Sequence, residues 1–222
     1  MGHQASADVS YGERPLLRGI LHQGAFVVAI VVGALLVVAA DGGRQRVAAA
    51  VFAVSVVTML GASALYHRVT WSPRMRPWMR RIDHAGIYLL IAGTYTPVGL
   101  LSLHGMLQRV TLAIIWGGAL VAIALKFAWV DAPKWLAAVT GIALGWAGVA
   151  ALPQVADTAG LTPVILLGVG GIAYTAGAIV YALRRPDPVP HIFGYHELFH
   201  ALTLVAVACQ YVAIAFYVVK VG

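Results

Sequence analysis

The chain has 222 residues, of which 61% are hydrophobic and only 10% charged, and its mean hydropathy is +0.86. A water-soluble domain carries about 25% charged and about 45–50% apolar residues, so an ordinary soluble fold is excluded and an integral membrane protein is expected. The net charge of +7 then points to membrane topology and contact with anionic lipid headgroups, and no nucleic-acid partner is expected.

The first twenty residues are polar and read as a cytoplasmic N-terminal segment, 1–20, ahead of a seven-helix transmembrane domain, 21–222. The apolar run that follows is of membrane length and reads as a retained first span, although Val38-Ala39-Ala40 resembles a weak cleavage site. Seven apolar segments are predicted at 21–40, 47–67, 83–102, 108–128, 134–152, 162–183 and 196–219, each near the roughly 20 residues that one bilayer crossing requires. Turn-forming residues separate them: Asp41-Gly42-Gly43, Ser72-Pro73, Leu103-His104-Gly105, Asp131-Ala132-Pro133, Pro153 and Pro186-Asp187-Pro188. Many of the 24 glycines lie inside spans, which favours close helix contacts in a bundle. The one cysteine, Cys209, lies in an apolar run and reads as a small buried residue.

The fifteen Lys and Arg residues are distributed unevenly. Eleven fall on the N-terminal side: Arg14, Arg18, Arg68, Arg74, Arg76, Arg80, Arg81, Lys126, Lys134, Arg184 and Arg185. Arg44, Arg46, Arg109 and Lys220 fall opposite. The positive-inside rule therefore predicts a cytoplasmic N-terminus and, with seven spans, a C-terminus outside.

Ionisable groups are costly at membrane depth, so the places where they gather carry the functional signal. His67 ends the second predicted span, Asp83 and His84 open the third, and His196, Glu197 and His200 open the seventh. The alternation of spans brings all these ends to one side at similar depth. His196 and His200 are four residues apart and share a helical face, as do Ser63 and His67. Three neutral imidazoles with an open position form a common catalytic zinc set, with Asp83 either a fourth ligand or the holder of the metal's water. Ligand type favours zinc without excluding iron, nickel or copper. His84 is rotated about 100° from Asp83 and is expected to serve as a hydrogen-bonding or interface residue. His22, His104 and His191 are expected to be lone interfacial histidines at the headgroup level.

His196-Glu197-Leu198-Phe199-His200 also spells H-E-x-x-H, the zinc protease string. Such a protease takes its third ligand downstream, where this chain has Thr203 and Ala206 and no Asp, Glu or His beyond His200. A metalloprotease is therefore disfavoured.

Three stretches together are specific. Ser63-Ala64-Leu65-Tyr66-His67 is the first. Arg81-Ile82-Asp83-His84-Ala85-Gly86-Ile87-Tyr88, running into Gly93-Thr94-Tyr95-Thr96-Pro97, is the second. Gly194-Tyr195-His196-Glu197-Leu198-Phe199-His200 is the third. With Lys126 to Leu136 they resemble the hemolysin III family, a relative of the progestin and adipoQ receptors and, more distantly, of alkaline ceramidases. The resemblance implies a seven-helix bundle in a bacterial plasma membrane, with zinc held near the cytoplasmic face by His67, His196 and His200. It further implies that Asp83 holds the metal's water, that Ser63 completes the polar set, and that Glu197 is not an obligatory base. Bacterial members often have His where this chain has Gln210.

Three functions follow as expectations. The first is a zinc-dependent hydrolase of an acyl amide or ester membrane lipid, with Asp83 as base and Ser63 as hydrogen-bonding partner. The second is a metal-stabilised sensor or lipid-homeostasis regulator without turnover. The third, a cytolytic pore, has the least physical support, because a polytopic chain is inserted at synthesis. The loop from Arg68 to Arg81, with Trp71 and Trp78, is expected to anchor topology and to gather anionic headgroups.

Overall fold

The structure, a computed structural model, describes residues 15–221; Arg14 and most of the expected N-terminal segment lie outside the described residues. The described chain is built from helices: α1 (Ile20–Val38), α2 (Gly43–Arg68), α3 (Arg76–Pro97), α4 (Gly105–Ala128), α5 (Lys134–Trp146), α6 (Leu152–Ala159), α7 (Leu161–Leu183), α8 (Tyr195–Ala213) and a last short turn α9 (Val219–Val221). A π turn, Val98–Ser102, extends α3, and a second, Ile214–Val218, joins α8 to α9. Counted with these extensions, seven helices are long and apolar enough to cross a membrane.

Neighbours in the chain pack as neighbours in space. α1 packs on α2, α2 on α3, α3 on α4, α5 on α7 and α7 on α8, and α8 returns to touch α1, which closes the ring. The second and third spans are the inner members, 67% and 72% buried, against 17% for the sixth, α7. That burial lets protein satisfy the costly polar residues that α2 and α3 carry, such as Ser63, His67 and Asp83. One apolar cluster, around Phe52, Met59, Leu60 and Ile214, fills the space between α1, α2 and the last span. Another, around Tyr88, Ile115, Ala119 and Leu144, joins α3, α4 and α5. A side chain at Gly86 would meet the Cα of Met59 at 3.1 Å, so this glycine lets α2 and α3 approach backbone to backbone.

Span limits agree with the sequence reading to within a few residues, with one instructive difference. Pro153 was expected to break the chain after the fifth span, yet the helix resumes through it. A 3₁₀ turn, Val149–Ala151, leads into α6, where Pro153 occupies an early position and forfeits no hydrogen bond. The actual break is Gly160, whose φ of +86° suits a residue without a Cβ. At the other proline, Pro97, α3 gives way to the π turn, and Gln108 donates to the carbonyl of Gly99 at 2.7 Å.

Candidate metal centre

The candidate site is assembled where α2 ends and α1, α3 and α8 begin. Helical spacing points Ser63 and His67 the same way from α2, and His196 and His200 the same way from α8. The start of α8 is fixed by Glu197, whose carboxylate accepts the Gly194 backbone N–H at 2.9 Å, the acidic half of a capping box. The same carboxylate is 1% exposed and ion-pairs with Arg18. Arg18 is delivered by the segment before α1, which bonds to the loop before α8 through Leu16 N to His191 O at 3.0 Å and Leu17 N to Ile192 O at 3.1 Å. Glu197, which made the protease string conspicuous, is therefore committed to structure and turned from the histidines.

His67, His196 and His200 each offer a ligand nitrogen, all within 4.8 Å of one another. The Nε2 atoms of His67 and His196 are 3.1 Å apart. Two zinc–nitrogen bonds of about 2.0–2.1 Å at a tetrahedral angle would separate their nitrogens by about 3.3 Å, so this pair already has a chelating geometry. The three histidines are close enough to hold a metal ion. Asp83 is buried, with Oδ2 3.8 Å from His67 Nε2, a spacing that leaves room for an ion or a water between them. Ser63 lies alongside and interacts with the Asp83 carboxylate. All five residues expected at the site are thus brought together.

One site residue was missed. His22 was expected to be a lone interfacial residue, but it is 2% exposed, stacks on the His200 ring at 3.9 Å with 8° between planes, and has Nδ1 2.9 Å from Ser63 Oγ. A single His in the first turn of α1, paired at four-residue spacing only with Arg18 ahead of the helix, carries no metal-ligand pattern that would distinguish it. His104 is exposed just before α4 and His191 is exposed in the loop before α8. Of the cations assigned to topology, Lys126 is buried instead, and Lys134 donates to the Tyr195 hydroxyl at 2.8 Å while lying over the Tyr181 ring.

A cavity of about 50 Å³ touches Ser63, Asp83, His196 and His200. Tyr174 and Thr203 line both it and a second cavity of about 90 Å³ in the apolar half of the bundle, which extends past Thr94 and Gln210. A polar site is thus adjoined by apolar space.

The sequence profile of the family described as Haemolysin-III related matches residues 11–211. The Hemolysin-3 homolog of Bacillus subtilis (strain 168) is 32% identical over 189 residues, which cover 84% of this chain and 85% of that protein. Hemolysin-3 of Bacillus cereus is 33% identical over 172 residues, covering 78% of this chain and 75% of the relative.

Proposed function

The chain belongs to the hemolysin III family of multi-pass bacterial membrane proteins, and from that premise we propose that it is a zinc-dependent hydrolase of an acyl amide or ester membrane lipid. The observation that carries the reading is the meeting of a three-histidine set with a buried carboxylate at the wall of a cavity adjoining apolar space. Imidazole nitrogens suit zinc. The bound ion would supply Lewis acidity toward a carbonyl and bring the pKa of water near about 7. His67, His196 and His200 would hold it.

Asp83 has the placement of a general base: it is buried and within reach of the space between the three rings. Ser63 would orient that carboxylate or donate to charge developing on the carbonyl oxygen. His22 holds Ser63 on one side and the His200 ring on the other, so it acts as a positioning residue. The apolar cavity beyond Tyr174 would take an acyl chain. The excess of Lys and Arg on this side supports a cytoplasmic site and N-terminus, with the C-terminus outside.

Fatty-acid release from lipid by zinc-loaded protein in detergent is the test. His200→Ala is expected to lose the metal and at least about 100-fold in rate, and Asp83→Asn to keep the metal and lose about 100-fold. Equal rates in all three proteins would end the proposal. One observation favours a second reading, in which a non-catalytic ion ties the helices together: Asp83 is near enough to close the coordination as a fourth ligand. Chelation that lowers thermal stability in a protein without turnover would select it.

A further inference from the structure

Lys126, in the last turn of α4, is 6% exposed, and among the described residues no carboxylate forms an ion pair with it. Helix carbonyl dipoles favour a lysine at this position, but an ammonium facing solvent gains that benefit without the cost of desolvation. Lys126 instead lines the cavity that also holds Ser63, Asp83 and His200.

His84, on α3, lines the same cavity, and Arg80, four residues earlier on the same face, lines the vestibule that adjoins it. Each has a nitrogen sealed from solvent with no hydrogen-bond partner: Arg80 Nε and His84 Nδ1. The neighbouring Asp83 is turned about 100° away along the helix and approaches His67 instead. The positive fields of Lys126, Arg80 and Lys134 converge on the His84 ring.

His84 also marks the junction of two spaces, since it lines the cavity beside the histidines and a wider vestibule of about 370 Å³. Around that vestibule stand Arg18, Arg76, Arg80, Lys134 and Arg184, with Asp131, already paired to Arg80, among them. A buried donor left without an acceptor costs about 1–3 kcal/mol; Arg80 Nε and His84 Nδ1 are two such atoms, and Lys126, buried on the neighbouring helix, lines the inner cavity with His84.

From this arrangement we propose that Arg80, His84 and Lys126 form a phosphate subsite beside the three histidines, which takes the headgroup phosphate of an anionic lipid. Donors set on either side of His84, Lys126 in the cavity and Arg80 in the vestibule, suit the several non-bridging oxygens of a phosphate better than the two oxygens of a carboxylate. The apolar cavity reached past Tyr174 and Thr203 gives the lipid's chains a place to lie. That such a lipid is the substrate rests on the hydrolase reading; its binding does not.

The test is equilibrium binding to purified, zinc-loaded protein in a neutral detergent. The probes are dioctanoyl phosphatidic acid and dioctanoylglycerol, which has the same tails and no phosphate. The phosphate-bearing lipid is expected to bind at least about 10-fold more tightly. Lys126→Met should abolish that preference and Lys126→Arg keep it, with the metal content of both unchanged. If Lys126→Met loses its metal, His84→Phe serves as the second variant, with the same loss expected. Displacement by inorganic phosphate at equal concentration assigns the subsite to free phosphate, whereas a requirement for the tails assigns it to a lipid headgroup. Equal affinity for the two amphiphiles, or a preference that survives in metal-loaded Lys126→Met or His84→Phe, overturns the proposal. No turnover enters the measurement, so an inactive protein with a phosphate preference would sink the hydrolase reading alone.

Discussion

At the end of the bundle that holds the histidines, polar side chains bond across helices: His22 to Ser63, Arg18 to Glu197, His67 to His196, Arg80 to Asp131, Lys134 to Tyr195. Deeper in the bundle the hydroxyls of Thr94, Thr96 and Thr175 fold back on carbonyls four residues upstream in their own helices, and the hydrogen bonds that do cross helices there, such as Trp116 to Thr96 and Trp146 to Thr175, are set in packing that is otherwise apolar. The first region depends on the identity of each partner, because an unpaired polar group there has neither water nor a substitute to turn to. The second depends on shape, which tolerates exchange among residues of similar volume.

Removing Arg18 should expose this contrast most sharply. Arg18→Met strands the Glu197 carboxylate at 1% exposure, and breaking such a pair is expected to cost about 3 kcal/mol, the low end for buried pairs because Arg18 itself is part-exposed. In detergent this corresponds to a fall in Tm of about 6–12 °C. The double variant with Glu197→Gln should recover part of that loss; a double variant as unstable as Arg18→Met would mean that the pair is not the cause.

His22→Phe keeps a ring against His200 and removes the bond to Ser63. The expected cost is about 1–2 kcal/mol, with a fall of about 10-fold in lipid hydrolysis and full metal content by elemental analysis. Loss of the metal would show instead that His22 belongs among the ligands. The smallest effect is expected in the apolar half. Gln210 is 3.4 Å from Thr94, and Gln210→Leu should change stability by no more than about 0.5 kcal/mol and leave metal binding intact. A strong effect on the metal would erase the distinction between the two regions.

The fold was legible because hydropathy at span length is a coarse signal that single residues cannot disguise. Pro153 was misread because a proline that ends a helix and one that begins the next look alike in sequence. The ligand histidines could be read from two pairs at four-residue spacing whose helix ends coincide in depth. His22 and Lys126 could not be read that way. His22, next to Gln23, and Lys126 each lie near the end of an apolar segment, the usual place of an interfacial anchor, and only the packing of α1 on α8 and of α4 on α3 turns them inward. Glu197 was conspicuous as a letter of a motif, and its capping role depends on the segment that brings Arg18 to it.

The two π turns have a mechanical consequence. Val98–Ser102 and Ile214–Val218 follow the helices that carry Asp83 and the His196/His200 pair, and they pack against each other at the far end of the bundle. A π turn accommodates one more residue than the α turn it replaces, so it works as an expansion joint. Changes in length along either helix can be taken up there, away from the histidines, while the opposite tips keep the setting that holding a metal ion would require.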